Sequence, residues 1–158
     1  MGDENPMALN RESFQKAIST LVVITPIALS FLATRVPLED YLSEIGFRSF
    51  FKWYEPWRGA VVGLLSWIVA GIMYNSSKKL TKYLLWGSYI AFALFHYLTL
   101  YTVLMDGFKI SLFPFFYSLN YSSNDVGGVT YYLDLGQLLL LINLLVSIRN
   151  RGRREGHL

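Results

Sequence analysis

Four apolar stretches of membrane-spanning length dominate this 158-residue chain: Ala17–Thr34, Trp57–Tyr74, Tyr83–Met105 and Val129–Ile148. A bilayer's hydrocarbon core takes about 20 apolar helical residues to cross. The four stretches run to 18–23 residues, and the charges lie almost entirely between them. The sequence therefore predicts an all-α integral membrane protein, a four-transmembrane-helix bundle. It would form one membrane domain over residues 1–158, with a short N-terminal segment, 1–16, and a basic C-terminal tail, 149–158. Only 16% of the residues are charged, against about 25% in soluble domains. With half the chain in lipid, what remains cannot build a second core.

With no cysteines, disulfides, zinc–thiolate sites and thiol chemistry are excluded. Two histidines, His96 and His157, are too few for a histidine-rich metal site, and no metal or cofactor is expected. The net charge of +3 is basic, but the basic residues flank the helix ends, where they meet lipid headgroups. Nucleic acid is therefore not an expected partner. Residues 1–16 carry Asp3, Glu4 and Glu12 and lack the basic start and small-residue cleavage site of a signal peptide, so the first span is expected to stay. Pro6 stands where a myristoylation signal has Ser or Thr.

Four spans put both termini on one side. Arg11, Lys16, Lys78, Lys79, Lys82, Arg149, Arg151, Arg153 and Arg154 fall on that side. Arg35, Arg48, Lys52, Arg58 and Lys109 fall on the other. The positive-inside rule then places both termini in the cytoplasm. The membrane would be the plasma membrane of a prokaryote, or the endoplasmic reticulum or another endomembrane of a eukaryote. Asn120-Tyr121-Ser122 is a glycosylation sequon on the expected outer side, and Asn75-Ser76-Ser77 one on the inner side.

Pro26 should bend the first helix near Val22–Pro26, with Thr25 helping to satisfy the freed backbone group. Between Leu38 and Trp57, Leu38, Tyr41, Leu42 and Ile45 recur at helical spacing. Phe47, Phe50, Phe51, Trp53, Tyr54 and Trp57 follow, interleaved with charges. Aromatic rings favour the headgroup level, so this segment reads as an interfacial amphipathic helix in the first outer loop, acting as an anchor, a lid or a docking surface. In the second span Gly59, Gly63, Ser66 and Ala70 form one narrow face of small residues. Such a face lets helix backbones approach closely in lipid, either against the third span or against a second copy.

The third span carries Tyr89, His96 and Thr99, with Asp106 at its outer end as an ordinary helix-end residue. The fourth carries Asp134, Gln137 and Asn143. Ionisable groups inside a membrane usually face the bundle interior. One expectation is simple interhelical hydrogen bonding. The other is a ligand site of His96, Asp134, Gln137, Tyr89 and Thr99, which requires the third and fourth spans to be neighbours. The third loop, residues 107–128, holds an apolar run, Ile110–Tyr117, that is too short to span and should lie in the interface.

Phe47-Arg48-Ser49-Phe50-Phe51-Lys52-Trp53-Tyr54 and Thr25-Pro26-Ile27 resemble the outer loop and first helix of the emopamil-binding and sigma-2-receptor family, four-helix proteins with cytoplasmic termini. That family's pocket depends on membrane-embedded acidic residues, and the first and second spans here contain none, so no site residue carries over.

No nucleophile, metal or phosphate motif is present, so no catalytic residue is expected. The chain reads as a non-catalytic membrane protein acting by contact: an accessory subunit, assembly factor or chaperone of a larger membrane complex. Its expected partners are membrane lipids and either a membrane protein or another copy of itself. The alternative is a binder or isomerase of a lipophilic small molecule (a lipid, sterol-like compound or quinone) held within the bundle.

Overall fold

A computed structural model describes residues 6–36, 54–75, 78–123 and 126–155. Among them are four helices: α1 (Pro6–Thr34), α2 (Tyr54–Ile72), α3 (Lys79–Met105) and α4 (Leu135–Glu155). Two are long and apolar enough to cross a membrane, over Ser13–Thr34 and Lys79–Met105. α2 has 19 residues, and the apolar part of α4 is shorter, Leu135–Arg149.

The all-α expectation is corrected by a small antiparallel sheet between α3 and α4. Strands β1 (Lys109–Phe113), β2 (Phe116–Ser123) and β3 (Val126–Leu133) pair in the order β1-β2-β3. The apolar run Ile110–Tyr117 is thus a hairpin turning at Pro114-Phe115. The first residues of the expected fourth span, Val129–Leu133, belong to β3. Hydropathy does not separate an apolar strand from an apolar helix, but residue type does. Val129, Thr130, Tyr131 and Tyr132 are β-branched or aromatic, which suits a pleated strand. Asp134 then starts a new element by capping it.

Cross-helix contacts fix the directions. Arg58 at the start of α2 meets Thr34 and Val36 at the end of α1. Gly59 faces Phe95, and Gly63 faces Phe92, so α2 runs antiparallel to α3. Val23 of α1 faces Gly87 of α3, and the N-terminal part of α1 lies beside Lys79. α1 and α3 are therefore parallel. His96 near the end of α3 meets Asp134 ahead of α4. The helices alternate in direction, and the sheet sits at the end where α3 stops and α4 begins.

The packing of α2 on α3 follows from the small residues. A Cβ on Gly63 would come within 2.5 Å of the Phe92 backbone nitrogen, and one on Gly59 within 2.5 Å of the Phe95 ring. Ala70 is fully buried and Ser66 half-buried. Around that seam lies a small core of Ala60, Phe92, Phe95 and Leu139, with Leu64, Trp67 and Tyr89 packed on it. The outside is far more apolar than the core. Leu21, Ile72 and Leu145 are 66%, 81% and 57% exposed, at the upper end for the apolar helix exteriors.

Pro26 is buried within a helix that continues through it. The Thr25 hydroxyl donates to the Leu21 carbonyl at 2.8 Å. It does not serve the Val22 carbonyl that proline frees, which corrects the expected compensation. The interfacial segment, including Phe47, Phe50, Phe51 and Trp53, lies outside the described residues. Tyr54 and Trp57 open α2 and meet edge to face, with ring centroids 5.8 Å apart.

Glycine substitutions test the seams. Gly63→Ala and Gly87→Ala would push a methyl group into backbone atoms at 2.5–2.8 Å. Each should destabilise by about 1–3 kcal/mol, the usual range for overpacking. A methyl group on Gly71 would meet nothing within 4 Å, so Gly71→Ala should leave the melting temperature unchanged or slightly higher. Thermal unfolding in detergent, followed by tryptophan fluorescence, checks the contrast.

Candidate functional site

Asp134 is fully buried, which a carboxylate tolerates only when its oxygens are matched by donors. Here they are. Oδ1 accepts from the Gln137 backbone N–H at 3.2 Å and meets His96 Nε2 at 3.3 Å. Oδ2 accepts from Gln137 Nε2 at 3.0 Å. The Tyr97 hydroxyl lies 3.3 Å from both oxygens. The bond from the Gln137 N–H is the N-cap arrangement, a side-chain oxygen serving the third residue of the helix. The Asp134 carbonyl meanwhile accepts from Leu138 N–H, the first turn of α4.

The same two residues hold the β1–β2 hairpin. The Asp134 N–H donates to the Phe115 carbonyl at 2.8 Å. The Phe115 N–H donates to Gln137 Oε1 at 2.9 Å, and Gln137 Nε2 reaches the Phe113 carbonyl at 3.3 Å. Phe115 has φ = 64°, the left-handed region. Proline before a positive φ is the type II turn pattern, in which glycine or asparagine usually takes the second place. Phenylalanine there costs about 1–2 kcal/mol, which its two backbone bonds to the α4 start offset. Gly136 is needed beside them, since a Cβ would fall 2.9 Å from the Tyr97 hydroxyl.

His96 is set in an aromatic frame. Its ring stacks on Phe92 (5.3 Å, 16°) and meets Tyr97 and Tyr117 edge-on at 5.2 and 6.2 Å. Tyr117 stacks on its cross-strand partner Tyr132 at 5.3 Å. Burial pushes the Tyr117 phenol above its ordinary value of 10.0, with Tyr132 and the Asp134 carboxylate adding to the rise. Next to this frame is a cleft of about 360 Å³. Trp57, Ala60, Val61 and Leu64 of α2 line it with Phe92, His96, Thr99 and Leu100 of α3, and Tyr117, Tyr132, Leu133 and Leu135 close it.

Of the five ligand-site residues expected from sequence, the structure brings His96, Asp134 and Gln137 into one hydrogen-bonded group. Thr99 lines the cleft, but its hydroxyl donates to the Phe95 carbonyl of its own helix at 2.7 Å. Tyr89 is seven residues before His96 on α3, about 10 Å along the axis, and packs on the core and on Trp86. Sequence reasoning missed Tyr97, Tyr117 and Tyr132. No helical periodicity joins Tyr97 to His96, and the two tyrosines of the sheet are placed by strand register. It also missed Arg58, which is buried and donates to the Val36 and Thr34 carbonyls at 2.7 and 3.2 Å, a cation on the negative end of α1. Asn143, further along α4, accepts from Trp67 Nε1 at 3.0 Å. Among the described residues no group of three or more His, Cys, Asp or Glu could hold a metal.

Gln137→Ala would leave the Phe115 N–H and one Asp134 oxygen short of a partner. It should destabilise by about 1–3 kcal/mol, with faster hydrogen exchange in β1 and β2. Phe115→Gly should recover about 1 kcal/mol by removing the positive-φ strain. Hydrogen-exchange mass spectrometry with thermal unfolding reads both. No protein family, curated protein or solved structure matches this chain.

Proposed function

We propose that all four helices cross a membrane and that the cleft beside His96 binds an apolar small molecule with a hydrogen-bonding head, of the lipid, sterol-like or quinone class. The observation that carries this reading is His96, tied to the buried Asp134, at the wall of a mostly apolar cleft. A carboxylate only accepts, so the shared proton sits on His96 Nε2, and neutral imidazole then keeps a lone pair on Nδ1. That lone pair suits a ligand hydroxyl. The Tyr117 and Tyr132 phenols also line the cleft and suit a ligand carbonyl. A cleft of this volume fits the range of small-molecule sites, about 300–1,000 Å³, which are mostly apolar with a few convergent polar groups.

Membrane residence is supported by the apolar exterior and by the two long apolar helices. Soluble monomers rarely expose contiguous apolar patches beyond a few hundred Å². With alternating helix directions, Arg11, Lys78, Lys79, Lys82 and Arg149 gather at the end away from the sheet. Both termini then face the cytoplasm, and the sheet lies outside. The accessory-subunit reading draws on the small-residue face of α2. That face packs within the chain on α3, so we weigh the cleft more heavily.

Two experiments test this. Because the chain has no cysteine, Lys78→Cys and Ser111→Cys give clean single labels. An impermeant maleimide should modify Ser111→Cys from outside and Lys78→Cys only after permeabilisation. Modification of both from one side would rule out the topology. For the cleft, the purified protein is warmed with cholesterol, ubiquinone and oleamide in turn. A ligand at a hundredfold its Kd should stabilise by about 2.7 kcal/mol. His96→Ala and Ala60→Leu, which remove the polar anchor and fill the cleft, should both abolish that shift. No shift with any ligand, or an equal shift in both variants, would overturn the site.

A further inference from the structure

We propose that the groove between the N-terminal half of α1 and the start of α3 is a built site for one anionic phospholipid of the inner leaflet. It is separate from the His96 cleft and rests only on the membrane reading. Two adjoining cavities, of about 580 and 640 Å³, share Gln15, Ser19 and Lys79 and form one track along the α1–α3 seam. The mouth is cationic: Arg11 comes from α1, and Lys78 and Lys79 from the start of α3. Neither lining contains an acidic residue among the described residues. Beyond the mouth the walls are mixed: Ile18, Val23, Ile24 and Tyr83 give apolar surface, and Gln15, Lys16, Ser19 and Thr20 polar surface.

Charge and length both match a phospholipid. The lining runs along α1 from Arg11 to Ile24, about 20 Å at 1.5 Å per residue. One leaflet with its headgroup zone is also about 20 Å thick. A phosphate would meet Arg11, Lys78 and Lys79 at the mouth, with Lys16 further along the track, and an acyl chain would lie along Ile18, Val23 and Ile24. The backbone at Lys78 is anchored, since the Thr81 hydroxyl lies 2.8 and 2.9 Å from the Asn75 and Lys78 carbonyls. Phe14 is 65% exposed at the mouth, where a chain of lipid would cover it. Basic pockets between helices on the cytoplasmic side favour anionic headgroups.

The test uses the full chain, stripped of lipid in detergent and titrated with phosphatidylglycerol or phosphatidylcholine, with bound lipid counted by native mass spectrometry. Phosphatidylglycerol should bind at least tenfold more tightly at low salt, and the preference should fall as salt rises. Arg11→Gln, Lys78→Gln and Lys79→Gln should each weaken it about fivefold, the effect of one basic residue near an anionic surface. Lys109→Gln, at the other end, and His96→Ala should leave it unchanged, and matching melting temperatures would show the variants are folded. Equal binding of the two lipids, retention unchanged in the Lys78→Gln/Lys79→Gln double variant, or equal binding of glycerol phosphate without chains would each overturn the site. A failure of the membrane reading itself would appear in the maleimide labelling instead.

Discussion

The buried Asp134 carboxylate is the interaction on which the sheet-bearing end of the molecule depends. Its donors come from α3 through His96 and Tyr97, and from α4 through Gln137. Its own backbone N–H holds the β1–β2 turn. Three elements therefore meet at one residue. A charge in a low-dielectric interior is costly unless every lone pair is engaged, and removing one partner from such a group costs more than the bond is worth in isolation. The cleft beside His96 keeps its shape because the histidine ring is fixed on one side by that carboxylate and on the others by Phe92, Tyr97 and Tyr117.

The remainder of the bundle is held by close approach instead of by polar groups. Gly59, Gly63 and Gly87 bring α2 and α1 within backbone or ring contact of α3. On the proposed membrane reading the apolar exterior gains little from burial, so van der Waals packing along these seams would carry the association. Among the described residues, polar contacts between elements include Arg58 at the end of α1, Trp67 with Asn143 in mid-bundle, and the Asp134 group at the start of α4.

Much of this was legible in the sequence, and the failures have physical reasons. The apolar lengths of α1 and α3 and the small-residue face of α2 are local patterns with a fixed helical period. Proximity of His96, Asp134 and Gln137 could be raised because rare polar groups in apolar segments seek each other. The sheet was hidden because Val129–Leu133 is as apolar as a helix, and a hydropathy window is blind to period. The roles of Tyr97, Tyr117 and Tyr132 depend on strand register and on where α4 starts, which no local pattern encodes. Arg58 looked like one more interfacial charge, because its partners are carbonyls 22 and 24 residues away.

Those sequence separations also set an order of assembly. The Arg58 contacts to the Val36 and Thr34 carbonyls span only 22 and 24 residues, so they can form as soon as the α2 start emerges. His96 must wait 38 residues for Asp134, and Trp67 must wait 76 for Asn143. In that interval α3 carries an imidazole and a phenol with their partner still inside the ribosome. The entry to α4 therefore does more than extend the bundle: Asp134, the residue that caps it, is the one that satisfies the polar end of α3.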